Sequence, residues 1–170
     1  EYKSVNGGLL LTFEGNPEKV EVASMSELLK DYKVTHQPKS DSVNVWFSLE
    51  KNGFPKEQLT NSFKLSYTTE TKSDTIPVNY KATKLDFKLA SKEGNLVVPE
   101  APFRIISTLP LEKINSDTWQ LESDSISQNF SAKISEKNPF EIVVNSDFKP
   151  TKKYVLSVPK ETVYSYDTSN

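Results

Sequence analysis

The sequence predicts an all-β protein made of two consecutive antiparallel β-sandwich domains. Two observations lead to this prediction. Apolar and polar residues alternate with a period of two in many short runs, and clusters of turn-forming residues separate these runs. Such alternation places one face of a strand in a core, and many short strands joined by turns are typical of a sandwich.

The clearest alternating run has Val43, Val45 and Phe47 on one face of a strand and Trp46 on the other. The same period predicts strands near residues 9–13, 19–23, 43–49, 62–68, 74–80 and 84–89 in the first half, and near 102–107, 118–121, 127–134, 139–144 and 153–158 in the second. Residues 24–27 leave an alternative open, because Ser-Met-Ser-Glu has the form of a capping box and favours one or two helical turns.

The faces of these strands predict two cores. The first is expected to bury Leu9, Leu11, Phe13, Val43, Val45, Phe47, Leu65 and Tyr67, and the second Phe130, Ile134, Ile142, Tyr154 and Leu156. The polar segment 91–94, which contains a glycine, follows a complete set of predicted strands, and the apolar pattern begins again after it. The predicted domains are therefore residues 1–92 and 93–170, each near the size of an immunoglobulin-like sandwich.

Composition excludes several classes of function. A net charge of −2 provides no basic face for nucleic acid, and the five glycines form no phosphate-binding motif. His36 is the only histidine and there is no cysteine, which excludes two-histidine and thiolate metal sites. No apolar run reaches the roughly 20 residues of a transmembrane helix. The chain begins at Glu1 without an initiator methionine, so we interpret it as a segment whose targeting information lies upstream.

Three acids near Trp119 come closest to a catalytic or metal-binding cluster. Asp117, Glu122 and Asp124 combine carboxylates with an aromatic ring, as a glycosidase cleft does. Loop oxygens also suit calcium, with Asp117, Asp124 and the segment 167–170 as candidates. Neither pattern has the spacing of a known motif, and His36 is interpreted as structural. We therefore predict no enzyme activity, no cofactor and no catalytic or metal-binding residue.

Four aromatic residues form the possible interaction surface: Trp46, Trp119, Tyr164 and Tyr166. An exposed aromatic ring on a sandwich can stack on a sugar or dock a neighbouring domain. The alternative for each tryptophan is that it covers the second face of its own strand. Both interpretations stay open at the level of sequence.

Five segments, taken in order along the chain, carry a resemblance to a known family. They are GLLLTFEGNP at 8–17, SDSVNVWF at 40–47, STLPLEKI at 107–114, KYVLSVP at 153–159 and YDTSN at 166–170. Together they resemble the central part of the Ig-like-domain lipoproteins of Bacteroidetes-type bacteria. The C-terminal half is similar to the bacterial Ig-like domain of surface-layer proteins.

The resemblance implies an envelope lipoprotein, periplasmic or anchored to the outer membrane, and supplies no catalytic residues. The expected function is a non-catalytic structural or interaction module, whose partners are other domains of the parent protein or other envelope proteins. A carbohydrate-binding module that uses exposed aromatic residues to bind glycans is the alternative.

Overall fold

The computed structural model describes residues 1–5, 7–55, 58, 60–81 and 86–166. Within these residues the protein consists of strands, turns and loops, without a helix, and all strand pairs are antiparallel. The all-β prediction is confirmed. The chain divides into two compact units, Glu1–Leu85 with Tyr166–Thr168, and Asp86–Ser165 with Ser169–Asn170. The possible helix at residues 24–27 is absent, because Ser24 ends a strand and its Oγ accepts a hydrogen bond from the Ser26 N–H at 3.1 Å.

The first unit contains a four-stranded and a three-stranded sheet. The four-stranded sheet has the order β1 (Tyr2–Val5), β2 (Gly8–Thr12), β5 (Ser42–Phe47) and β4 (Tyr32–His36). The three-stranded sheet has the order β3 (Glu21–Ser24), β6 (Thr60–Thr68) and β7 (Ser73–Lys81). Most of these strands lie where the alternating runs predict them.

The core of the first unit receives side chains from both sheets. Leu9, Leu11, Val43, Val45, Phe47 and Leu65 are buried as predicted, whereas Phe13 and Tyr67 are half-buried. The last two rings pack edge to face, with their centroids 5.0 Å apart. β2 and β5 pack so closely that a Cβ atom on Gly8 would lie 2.0 Å from the Val45 carbonyl oxygen.

The second unit contains a four-stranded, a three-stranded and a two-stranded sheet. The four-stranded sheet has the order β13 (Phe130–Ile134), β14 (Glu141–Ser146), β9 (Phe103–Ser107) and β8 (Leu89–Ser91). The three-stranded sheet has the order β12 (Ile126–Ser127), β11 (Gln120–Ser123) and β15 (Val155–Ser157), and β10 (Leu111–Ile114) pairs with β16 (Val163–Ser165) in the two-stranded sheet. β8 and β15 are therefore edge strands.

The second core is only partly closed. Of the residues predicted to fill it, Ile142 is buried, but Phe130, Ile134, Tyr154 and Leu156 are half-buried. The rest of the buried cluster consists of Ile105, Leu111, Trp119, Val144 and Val163. The prediction that the four half-buried residues are largely buried is therefore wrong. Their side chains face inward, but no described residue covers them fully.

The division between the units differs from the predicted boundary. The predicted strand at 84–89 falls partly on residues 82–85, which lie outside the described residues. Leu89–Ser91 forms β8 and pairs with β9 of the second unit. Thr108 holds the preceding residues there as well, because its Oγ1 accepts from the Lys88 N–H at 2.9 Å and donates to the Asp86 carbonyl at 2.5 Å. The units therefore divide at Leu85 and Asp86 rather than after Lys92. Independent folding of each unit stays a prediction.

Candidate functional site

Both tryptophans are structural. Trp46 is 4% exposed, and its Nε1–H donates to Thr35 Oγ1 at 2.9 Å on the neighbouring strand. Trp119 is 4% exposed, and its Nε1–H donates to Thr162 Oγ1 at 2.8 Å. Each ring is buried and its polar end is satisfied, as is usual for tryptophan in a core. Neither ring offers a face to a sugar.

The two C-terminal tyrosines do not form an open surface either. Tyr166 is 9% exposed. Tyr164 is half-buried; its hydroxyl donates to the Glu161 carbonyl at 2.5 Å, and Lys113 Nζ lies 4.8 Å from the centre of its ring. A cation over the ring stabilises this arrangement and covers one face of the tyrosine. Trp46 belongs to the first unit and Trp119 and Tyr164 belong to the second, and Trp46, Trp119 and Tyr166 are all buried.

The titratable candidates also have local structural roles. His36 Nε2 lies 3.3 Å from the Ser40 carbonyl, within the turn between β4 and β5. Asp124 is paired with Lys152 at 2.7 Å. Within the described residues, no group of three or more His, Asp and Glu side chains is arranged to hold a metal ion. The calcium candidate at 167–170 lies outside the described residues.

Glu141 is the most buried acid of the described residues that form ion pairs. Its carboxylate accepts from Lys92 Nζ at 2.9 Å and lies 3.3 Å from Arg104 Nε, and Arg104 is also 3.7 Å from Glu93. These four residues lie on β14, on β9 and in the segment after β8. The cluster ties β8 and its neighbours together, and its charges compensate one another, so it is a structural network.

The feature with the geometry of a binding site is a cavity of about 730 Å³ in the second unit, which we call the β8–β15 cleft. Its volume lies within the range of ligand pockets, roughly 300–1,000 Å³. Its walls are mainly apolar and come from both layers, with Leu89 on β8 and Leu156 on β15. The aromatic lining consists of Phe87, Phe103, Phe148 and Tyr154.

The segment around Val97 carries additional apolar surface. Val97 lines the cleft, while its neighbours in the chain, Leu96 and Val98, are 72% and 56% exposed. Lys160 also lines the cleft. Adjacent exposed apolar residues beside an apolar cavity are typical of an interaction site.

Sequence reasoning missed the β8–β15 cleft. Leu156 carried a signal, because alternation assigned it to the core, but alternation does not show whether anything covers that face. Leu89 was assigned to the other unit, so the two edge strands were not expected to lie at one cavity.

No protein family matches the chain, and no curated protein matches it. One solved structure is similar: "Structure of surface layer protein SbsC, domains 4-9", at 13% identity and a TM-score of 0.34. The match covers 93% of this chain and 27% of that one, so the chain spans about a quarter of the matched structure. At this TM-score the match has no bearing on function. No helix in the described ranges combines the length and apolar character that crossing a membrane requires.

Proposed function

We propose that this chain is a non-catalytic structural and interaction segment of a bacterial cell-envelope lipoprotein, and that the β8–β15 cleft is its interaction site. The observation that carries the proposal is an apolar cleft that is lined by residues of two edge strands, with exposed apolar residues on either side of its lining residue Val97 in the chain. The envelope location and the lipoprotein character rest on the resemblance of the five sequence segments.

Interaction suits the cleft better than catalysis does. The walls of the cleft consist mainly of apolar and aromatic side chains. Most acyl or glycosyl transfer requires at least a nucleophile and a general base within hydrogen-bonding reach of each other. Ser91, the serine of β8 that lines the cleft, donates its hydrogen bond to the Gly94 carbonyl and not to a general base. The carbohydrate-binding alternative loses its main support, because Trp46 and Trp119 are buried.

The test is retention of envelope proteins on the immobilised chain. Replacement of Leu96 and Val98 together by aspartate should abolish specific retention, because it places two charges next to the lining residue Val97 without replacing a buried side chain. The matched control is replacement of Met25 and Leu28 by aspartate, since these residues of the first unit are 61% and 51% exposed.

Equal retention by both double variants would refute the cleft as the interaction site. Specific retention of polysaccharide that is lost in the Leu96 and Val98 variant would replace the proposal by the carbohydrate-binding alternative.

A further inference from the structure

One edge of the cleft is β8, whose outward backbone groups are unpaired. The Lys92 N–H donates to the Arg104 carbonyl and the Thr108 N–H donates to the Lys88 carbonyl, both at 3.0 Å. Backbone groups alternate in direction along a strand, so Lys88 and Lys92 face β9 and the intervening Leu89 and Ser91 face away from it. No backbone partner for Leu89 or Ser91 occurs among the described residues.

The other edge is β15, where the same reasoning identifies Leu156. The Gln128 N–H donates to the Leu121 carbonyl at 2.7 Å, which shows that the backbone of Leu121 faces away from β15. Leu156 lies opposite Leu121 in the ladder. The two therefore form a non-hydrogen-bonded pair, and the N–H and C=O of Leu156 point away from β11.

These two edges lie at one apolar cavity. Leu89 and Leu156 both line it, and the outward backbone groups of both have no backbone partner among the described residues. A free ladder of N–H and C=O groups is a template for an extended peptide, and an adjacent apolar cavity accepts alternate side chains of the same peptide. A lipid tail or a small apolar compound would fill the cavity but would leave the backbone groups unsatisfied.

The charges beside β15 complement an acidic partner. Lys153 and Lys160 flank this strand, both are exposed, and neither is in an ion pair with a carboxylate of the described residues. Lys160 also lines the cleft. Glu161 is the one acid among the described lining residues and balances Lys160, so Lys153 beside the strand adds a positive charge that no lining acid offsets.

We propose that the β8–β15 cleft accepts one extended peptide strand from another protein, with alternating apolar residues and acidic residues at its ends, inserted between the two edges. The proposal rests on the proposed function and specifies its partner. The strand's backbone bonds to Leu89 and Ser91 on one side and to Leu156 on the other, and its apolar side chains fill the cavity.

The test uses the full chain and a synthetic nine-residue peptide of alternating valine and threonine with an aspartate at each end. We expect saturable binding by calorimetry, and at least tenfold slower hydrogen exchange at the N–H groups of Leu89, Ser91 and Leu156. Exchange at Ala90, whose N–H faces β9, should not change. The control peptide has the same composition with the valines contiguous and the aspartates central, and it should bind at least tenfold more weakly.

Two protein variants locate the binding. Ser91→Pro removes the outward N–H from an edge strand, where proline is tolerated, and should weaken peptide binding at least tenfold, whereas Ser91→Ala should not. Replacement of Lys153 and Lys160 by glutamate should weaken it further at low salt. The matched charge change in the first unit, Lys3 and Lys33 to glutamate, should have no effect.

Three results would overturn strand insertion: no binding of the alternating peptide at millimolar concentration, equal binding of a peptide that is N-methylated at alternate positions, or binding without slower exchange at Leu156. If dodecanoate displaces the alternating peptide, and the Ser91→Pro variant binds that peptide as tightly as the unchanged chain does, the cleft is an apolar small-molecule site instead. If strand insertion fails while the Leu96 and Val98 variant still loses its envelope partner, the proposed function stands without it.

Discussion

The two units have similar layers but different cores. In the first unit Leu9 and Leu11 from one sheet and Leu65 and Val78 from the other are each at most 1% exposed. In the second unit the corresponding inward residues Phe103 and Leu156 are half-buried and line a cavity of about 730 Å³. Side chains in a closed core reach crystal-like packing density, and an unfilled apolar cavity forfeits those contacts. The first unit therefore has a closed core, whereas the second unit keeps an unfilled apolar cavity that could accept further side chains.

Aromatic residues account for part of this difference. The ring of Phe47 lies edge to face with Phe63 and Tyr80, with centroids 5.6 and 5.0 Å away, and Phe54 packs on Phe63 at 6.1 Å. Large rings therefore fill the middle of the first core. In the second unit Phe148 packs on Tyr154 at 5.0 Å, and both rings belong to the wall of the cleft rather than to its interior.

The most direct test of this comparison is to express two fragments of the second unit that begin at different residues. A fragment of residues 86–170 keeps β8 and should unfold cooperatively, as judged by circular dichroism. A fragment of residues 94–170 lacks β8 and Lys92, which uncovers β9 and removes one partner of the buried Glu141. We expect that fragment to lose its cooperative transition.

Equal stability of the two fragments would support the boundary after Lys92 that the sequence predicts. Disorder of both would show that the two units share one folding core.

The next largest effect should come from Phe47→Ala. This residue is 3% exposed, and its loss leaves a cavity among the rings of Phe63 and Tyr80, so the free energy of unfolding of the first unit should fall by about 3–5 kcal/mol. The chain has two tryptophans, one in each unit, so fluorescence of the Trp119→Phe background reports the first unit alone. An unchanged denaturation midpoint in that background would contradict the closed core.

The sequence predicted most strands of both units but only one of the two cores. Alternation at Val43, Val45 and Phe47 reports which face of a strand is apolar, and this local signal identified the buried face correctly. It cannot report coverage, because coverage depends on strands that are distant in the chain. The same alternation assigned Leu156 to the second core, but this residue is only half-buried in the structure.

Short or irregular strands were the other omission. The strands that were not predicted are β1, β4, β10, β12 and β16, although β16 buries Val163 and Ser165. β16 has three residues, too few to show a period, and β10 pairs with it through a register shift between Leu111 and Lys113. Tyr164 was therefore assigned, with Tyr166, to the possible interaction surface. The pairing of Tyr164 with Lys113 joins segments about 50 residues apart, which no local pattern reveals.

A smaller effect is expected from Leu156→Ala, the counterpart of Phe47→Ala in the second unit. Leu156 is half-buried and borders an existing cavity. Its truncation therefore removes less buried apolar surface than that of a fully buried leucine, and it enlarges this cavity without creating a new one. The free energy of unfolding should fall by about 1 kcal/mol, less than the full burial of a leucine is worth. The measurement is the fluorescence of Trp119 in a Trp46→Phe background. A loss of 3 kcal/mol or more would show that the second core is as closed as the first.

The smallest effect should come from surface charges, which both units carry in matched form. Glu21 lies 2.5 Å from Lys19 in the first unit, and Asp147 lies 2.7 Å from Lys149 in the second. The hydrogen bond and charge of Lys19 hold the pKa of Glu21 below its usual range, and Asp147 raises the pKa of Lys149 in the same way. A lowered carboxyl pKa adds stability above the unfolded-state pKa, about 4.3, and this is lost as the pH falls through the folded-state value.

A raised lysine pKa adds stability that is present below the unfolded-state pKa, about 10.4, and is lost as the pH rises through the folded-state value. Both pairs are therefore fully formed at pH 7, but they are exposed to water and salt, which screen them. Glu21→Gln and Asp147→Asn should each leave the thermal midpoint unchanged between pH 6 and pH 8, as measured by circular dichroism. If the thermal midpoint falls clearly for only one of these variants, surface charge contributes to the difference between the units. The closure of their cores would then no longer be the whole explanation.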